Sequence, residues 1–127
     1  ELITATTENI PIKIVVFNNG NHGMVRQWQK IFYNSKFSAS ELGHVVPDYV
    51  KLAESMGAVG LRMIKKSEVK NVFSEMLKIN DRPVLIDCVV DPEDMVFPMV
   101  PAGGSNDQII LNEEDLKNLW VKEFYLF

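Results

Sequence analysis

The side chains best suited to chemistry lie in one polar stretch, Asn18, Asn19, Gly20, Asn21, His22 and Gly23. Asparagine amide oxygens and free backbone carbonyls are hard, neutral ligands that suit Mg2+ or Ca2+ and not thiophilic metals. Asn19 and the carbonyl of Asn21 would supply part of an octahedral site. Mg2+ ordinarily takes a carboxylate and phosphate oxygens as well, and this stretch contains no carboxylate, so the site is half built. On spacing alone the plainer reading, a tight turn rich in residues that tolerate left-handed backbone, is favoured.

Other chemistries find less support. The glycines form neither a GxGxxG nor a P-loop, so a nicotinamide or Walker nucleotide site is not indicated. His22 and His44 are the only histidines, and without an HxxxH pattern or paired cysteines a zinc site is not expected. A histidine in a loop is more often solvent-facing than a ligand; His22 is of interest through its place in the turn. The single cysteine, Cys88, falls inside an apolar run and reads as a buried thiol in a reducing compartment.

A strand must lead into the turn and a helix out of it. Ile14, Val15, Val16 and Phe17 form an unbroken apolar run, the pattern of a strand buried on both faces of a parallel sheet. Met24, Trp28, Ile31 and Phe32 follow at helical spacing, to about Tyr33. By pattern alone, Met24 and Trp28 are more often core than ligand wall. Ligands of open α/β sheets bind outside the carboxyl ends of strands, which is where this turn falls.

The remaining elements repeat the alternation. Residues 1–9 read as the end of a helix, with Leu2, Ile3 and Ala5 as its contacts, stopped by Asn9 and Pro11. Pro47 and Asp48 open a helix with Tyr49, Leu52, Ala53 and Met56 on its buried face and Gly57 at its end. Val59 to Ile64 is a short strand. Ser67 is placed to cap a helix carrying Val69, Val72, Phe73, Met76 and Leu77. Pro83 to Val90 is a third strand, and Phe97 to Gly104 an ordered loop. Asn112 caps a last helix with Leu116, Leu119 and Trp120 on one face, ending in the apolar residues 124–127. The expected fold class is α/β, a three-layer sandwich around a mainly parallel sheet with right-handed crossovers.

Length and composition bound the possibilities. A chain of 127 residues, 46% hydrophobic and 24% charged, is one ordinary globular domain's worth. Thirteen basic against seventeen acidic residues, with no basic cluster, argue against nucleic acid as a partner. No apolar run approaches the roughly 18 residues of a membrane span and no signal pattern opens the chain, so a cytoplasmic location is expected. The chain opens on Glu1 and not methionine, which leads to the expectation that it is a piece of something longer.

Taken together, NNGNHGMVRQWQ, PDYVKLAESMGAVGLR and RPVLIDCVVDPEDMVFPMVPAGG resemble the C-terminal part of the acetolactate synthase (acetohydroxyacid synthase) catalytic subunits, a thiamine-diphosphate enzyme family. The resemblance runs from Glu1 to about Ile110. Asn-Asn pairs are widespread among thiamine-diphosphate enzymes, whereas GMVRQWQ followed by VFPMVPAGG is much narrower.

The resemblance implies a truncated pyrophosphate-binding domain over residues 1–111; residues 112–127 match no family pattern, and their acidic start and apolar end suggest a helical tail. The resemblance also implies thiamine diphosphate and Mg2+ as cofactors, with metal ligands at Asn19 and, through its carbonyl, Asn21. A third ligand, the Asp of a GDG motif, would belong about ten residues ahead of Glu1. Cofactor contacts are implied at Asn19, Asn21, His22, Gly23 and Met24. A substrate channel is implied at Met24, Val25 and Trp28, with Arg26, Gln27 and Ala102 as lesser neighbours. No residue here is implied as catalytic, because the family's activating glutamate lies in another domain.

The implied reaction decarboxylates pyruvate and joins the two-carbon unit to pyruvate or 2-ketobutyrate, a step of branched-chain amino-acid synthesis. 2-Ketoacid substrates, a dimeric or tetrameric parent, a small regulatory subunit and FAD held by other domains are implied with it. By itself the chain is expected to be inactive and to self-associate through an uncovered sheet edge. Rival expectations are a piece of another thiamine-diphosphate decarboxylase, ligase or oxidase, and a non-catalytic assembly module.

Overall fold

A computed structural model describes residues 1–43 and 45–119. His44, Trp120 and the apolar end at 124–127 lie outside the described residues. The chain divides into two compact units, residues 1–21 with 41–92 and residues 22–40 with 93–127.

The first unit is built on a three-stranded sheet. Its elements are α1 (Leu2–Thr7), β1 (Lys13–Asn18), α3 (Tyr49–Ser55), β2 (Val59–Met63), α4 (Val69–Lys78) and β3 (Val84–Val89); α2 (Gly23–Phe32) belongs to the second unit. Strand order is β1-β3-β2 with both pairings parallel, Val16 and Arg62 each standing in register with Asp87. Helices cover both faces, in agreement with the three layers expected. On one face Met63, Met76, Val84 and Ile86 are buried, with Val72 and Phe73 of α4 against them. On the other, Ala53, Ala58 and Leu85 are buried with Leu2, Ile14, Val16 and Tyr49 around them. Each fully buried aliphatic side chain contributes about 1.5–3 kcal/mol, so the two clusters account for the order of the layers.

Small residues let the layers close. Gly60 of β2 lies directly beneath α3, where an added Cβ would stand 2.6 Å from the Val50 carbonyl oxygen. Gly57, at φ +74°, ends the α3 region in the left-handed conformation expected of it. Asp48 caps α3 by accepting from the Lys51 N–H at 3.3 Å.

Three local expectations are corrected. Strand β1 is an edge strand with half-exposed side chains, Phe17 being 74% exposed, because β3 is its sole partner among the described residues. Ser67 does not cap the fourth helix; the Glu68 carboxylate instead accepts from the N–H groups of Ile64 and Lys65, and a 3-10 turn at Lys66–Glu68 precedes α4. Those two amides hold the Glu68 carboxyl below its ordinary value. Leu52, Val69 and Leu77, expected in the core, are exposed, since the buried stripes of these short helices narrow to Ala53 and to Val72, Phe73 and Met76.

The second unit holds α2 (Gly23–Phe32) and α5 (Glu113–Leu119). Between them, Met99 and Ile110 exchange backbone hydrogen bonds of 2.9 and 2.8 Å, and Ile110 is buried. Asn112 caps α5 as expected, its side-chain oxygen accepting from the Glu114 and Asp115 amides.

Candidate functional site

The polar turn lies at the carboxyl end of β1. Two consecutive side-chain-to-backbone turns shape it. The Gly20 N–H donates to Asn18 Oδ1 at 3.0 Å, and the Asn21 N–H donates to Asn19 Oδ1 at 3.1 Å. Asn21 Nδ2 donates back to the Asn19 carbonyl at 2.6 Å. Gly20 takes φ +70°, a conformation its lack of a Cβ permits, and its carbonyl accepts from the Leu42 N–H at 3.1 Å.

These bonds decide which oxygens remain for a ligand. Asn19 Oδ1 keeps a second lone pair beside the Asn21 amide, and among the described residues nothing donates to the Asn21 carbonyl oxygen. The structure therefore holds the two expected metal ligands, Asn19 and Asn21, in one half-buried turn with acceptor capacity to spare. Two neutral oxygens fit part of a Mg2+ shell and leave its charge to be balanced by anionic ligands. Among the described residues no group of three or more His, Cys, Asp or Glu side chains is placed to hold a metal by itself.

A charged cluster braces the turn from the neighbouring strand. Asp87 of β3 is 2% exposed. Its Oδ1 accepts from Asn18 Nδ2 at 2.9 Å and its Oδ2 from Arg62 Nε at 2.9 Å. The Arg62 guanidinium also reaches Asp48 Oδ1 at 2.7 Å. Arg62 is held above its ordinary pKa, foremost by the bond to Asp87 and then by the charge of Asp48. The Lys51 amide and then Arg62 hold the Asp48 carboxyl below its own. Sequence reasoning does not single out Asp87 and Arg62. Their signal is a lone carboxylate inside the apolar strand VLIDCV, where a charge requires a partner. Cys88, the next residue, is a half-buried thiol raised above its ordinary pKa by burial and then by Asp87, as suits an unreactive side chain.

In the second unit, His22 stands before α2 and is exposed, and no side chain caps the helix. Its first backbone bond runs from the Arg26 N–H to the His22 carbonyl, so the amides of Gly23, Met24 and Val25 have no acceptor among the described residues. Such a terminus suits an anionic group.

In the first half of α2, burial does not follow polarity. Met24 and Val25 are 53% and 51% exposed, while Arg26 and Gln27 are buried. Trp28 is half-buried with its ring 4.8 Å from that of Phe32. Arg26 pairs with Glu93 at 2.6 Å and lies over the Phe37 ring at 4.1 Å, and Lys30 reaches the same Glu93 at 3.1 Å. The Gln27 amide takes both polar groups of the Val96 backbone, donating at 3.0 Å and accepting at 2.8 Å. Polar side chains of α2 thus anchor residues 93–96, while Met24 and Val25 are exposed and Ile31 is buried. Ala102 is exposed in the later loop.

Comparison with known proteins accords with this geometry. Residues 1–88 match the family described as thiamine pyrophosphate enzyme, C-terminal TPP binding domain, and the chain belongs to that family. Among curated relatives it is 51% identical over 112 residues to an acetolactate synthase of Mycobacterium avium, a match covering 86% of this chain and 18% of that protein. It is 48% identical over the same shares to the acetolactate synthase large subunit of Corynebacterium glutamicum, and 37% identical over 113 residues to that of Haemophilus influenzae, where the shares are 89% and 20%. The chain thus spans less than a quarter of the length of these relatives. Among solved structures, a thiamine diphosphate-dependent 4-hydroxybenzoylformate decarboxylase of Rhodococcus jostii RHA1 matches with a TM-score of 0.63 at 28% identity, over 71% of this chain and 16% of that one.

Proposed function

We propose that this chain is the C-terminal part of an acetolactate synthase catalytic subunit, which condenses pyruvate with pyruvate or 2-ketobutyrate and releases CO2. The observation that carries the reading is 48–51% identity to acetolactate synthases of Mycobacterium and Corynebacterium sustained over 86% of the chain. It extends into the loop of Phe97 to Gly104, beyond the 88 residues common to the wider family. Residues 1–111 would be the end of the thiamine-diphosphate domain and 112–127 a helical tail.

Each residue then has a task. Asn19 Oδ1 and the Asn21 carbonyl would hold Mg2+, whose charge the diphosphate and a carboxylate from outside these residues would balance. His22, Gly23 and Met24 would contact the cofactor, and the uncapped amides of α2 suit an anionic group. Met24, Val25 and Trp28 line the path of the 2-ketoacid, their apolar surface excluding water and sizing the second substrate. Thiamine diphosphate supplies the electron sink for decarboxylation, and the protein supplies position. No residue of this chain acts as the acid or base.

The whole subunit would be a homo-oligomer of the cytoplasm that serves branched-chain amino-acid synthesis, with FAD held elsewhere in the subunit and a small regulatory subunit as partner. The 127-residue chain by itself would be inactive. Product analysis tests the reading: full-length subunit supplied with pyruvate, thiamine diphosphate and Mg2+ should yield acetolactate. Release of acetaldehyde or acetyl phosphate in its place would assign the chain to another thiamine-diphosphate enzyme, and no turnover of a 2-ketoacid would favour an assembly role.

A further inference from the structure

We infer that Asp87 is a positioning residue for the metal-binding turn, acting through Asn18; this rests on the reading of Asn19 and Asn21 as Mg2+ ligands. A carboxylate only accepts hydrogen bonds, so the Asn18 amide 2.9 Å from Asp87 must present its Nδ2. Its oxygen is then turned the other way, onto the Gly20 N–H at 3.0 Å. That bond closes the first of the two turns and sets Gly20 at φ +70°, and Asn19 sits between the two residues so fixed. The orientation of one buried carboxylate thereby determines the backbone path on which both metal-facing oxygens are carried.

The rest of the cluster serves the same end. Arg62 balances the charge of Asp87 at 2.9 Å and is itself tied to Asp48, the cap of α3, at 2.7 Å. An ion pair to a side chain as exposed as Arg62, 40% accessible, contributes little net stability, and every other described residue of Val84–Val89 is apolar or a thiol. An aspartate in that strand is better explained by what it orients than by what it stabilises.

The hydrogen-bond pattern can be inverted without changing its net charge. In Asp87→Asn alone, the new amide offers its oxygen to Arg62 and its Nδ2 to Asn18, donor facing donor, so Asn18 must turn over and release Gly20. In the double variant Asn18→Asp with Asp87→Asn, the amide introduced on β3 donates to the carboxylate introduced on β1. That carboxylate still accepts from Gly20, and Arg62 still has an acceptor.

Calorimetric titration of Mg2+ into full-length subunit with thiamine diphosphate present gives the test. Asp87→Asn should weaken Mg2+ binding about tenfold or more, the range found when a group orienting a metal ligand is lost. The double variant should recover to within about threefold of the unsubstituted subunit. Asn18→Ala should lose Mg2+ affinity as Asp87→Asn does, which keeps the test open if Asp87→Asn does not fold. Met76→Ala, in the core on the opposite sheet face, should lower Tm and leave Mg2+ affinity unchanged. Unchanged Mg2+ affinity in Asp87→Asn or Asn18→Ala, or a double variant that regains Tm without regaining Mg2+, would overturn the role of Asp87. Absence of Mg2+-dependent thiamine diphosphate binding by the unsubstituted subunit would overturn the metal-site reading, and this inference with it.

Discussion

The Gln27 side chain and the Val96 backbone are joined by two hydrogen bonds, Nε2 to the carbonyl at 3.0 Å and the N–H to Oε1 at 2.8 Å. A side-chain amide here substitutes for a strand partner, pairing with residue 96 as a neighbouring backbone would. Since Gln27 is 5% exposed, nothing else can take over its two bonds without water entering. Gln27→Ala should destabilise the protein by about 1–3 kcal/mol through the two lost bonds, read as a lower urea midpoint. Gln27→Glu keeps the acceptor and loses the donor, and should fall between the two. Equal midpoints for all three proteins would contradict the pairing.

Glu93 ties the same segment to α2 through charge. The hydrogen bond from Lys30, and then the charge of Arg26, hold its carboxyl below the ordinary glutamate value of 4.5. A carboxyl whose folded pKa is depressed adds stability that is fully present above its unfolded pKa and is lost as pH falls through the folded one. Glu93→Gln should therefore lower Tm near pH 7, and the gap from the parent protein should close as pH drops below about 4.5. A gap that widens toward acid would contradict the assignment.

Gly60 tests the packing of β2 beneath α3. A Cβ there would stand 2.6 Å from the Val50 carbonyl oxygen and 2.8 Å from its Cα, and both neighbours are backbone atoms that cannot swing aside. Gly60→Ala should cost about 1–3 kcal/mol despite its small size, as overpacking does. Alanine at Gly43, where an added Cβ meets nothing within 4 Å, still carries the strain of φ +57° and should cost only about 1 kcal/mol. Thermal melts of the two variants should rank in that order.

Much of this arrangement is legible in the sequence, for identifiable reasons. The largely apolar run Pro83 to Val90 reads as a strand, and β3 proves to be the central one, buried over Val84 to Asp87; the Asp48 cap and the left-handed Gly57 are local signals that depend on no distant neighbour. Burial is less legible. The run Ile14 to Phe17 looks the same whether its outer flank is covered or open, so the exposure of Phe17 cannot be read from it. In α2, periodicity assigns Met24 and Trp28 to the buried stripe and leaves Arg26 and Gln27 outside. Their burial comes from contacts with Glu93, Val96 and Phe37, tens of residues away or in the following loop. The bracing of Asn18 by Asp87 joins residues on different strands, and its one sign in the sequence is a lone charge in an apolar run.

As proposed, the turn of Asn19 and Asn21 supplies oxygens to a Mg2+ ion that secures thiamine diphosphate. Calorimetric titration of thiamine diphosphate with Mg2+ into full-length subunit, comparing the unsubstituted protein with Asn19→Ala, tests it most directly. Loss of one metal-ligating oxygen predicts at least about tenfold weaker binding, which is about 1.4 kcal/mol, with Tm in the absence of metal lowered only by the loss of the Asn21 N–H bond. Equal affinity in the two proteins would contradict the account.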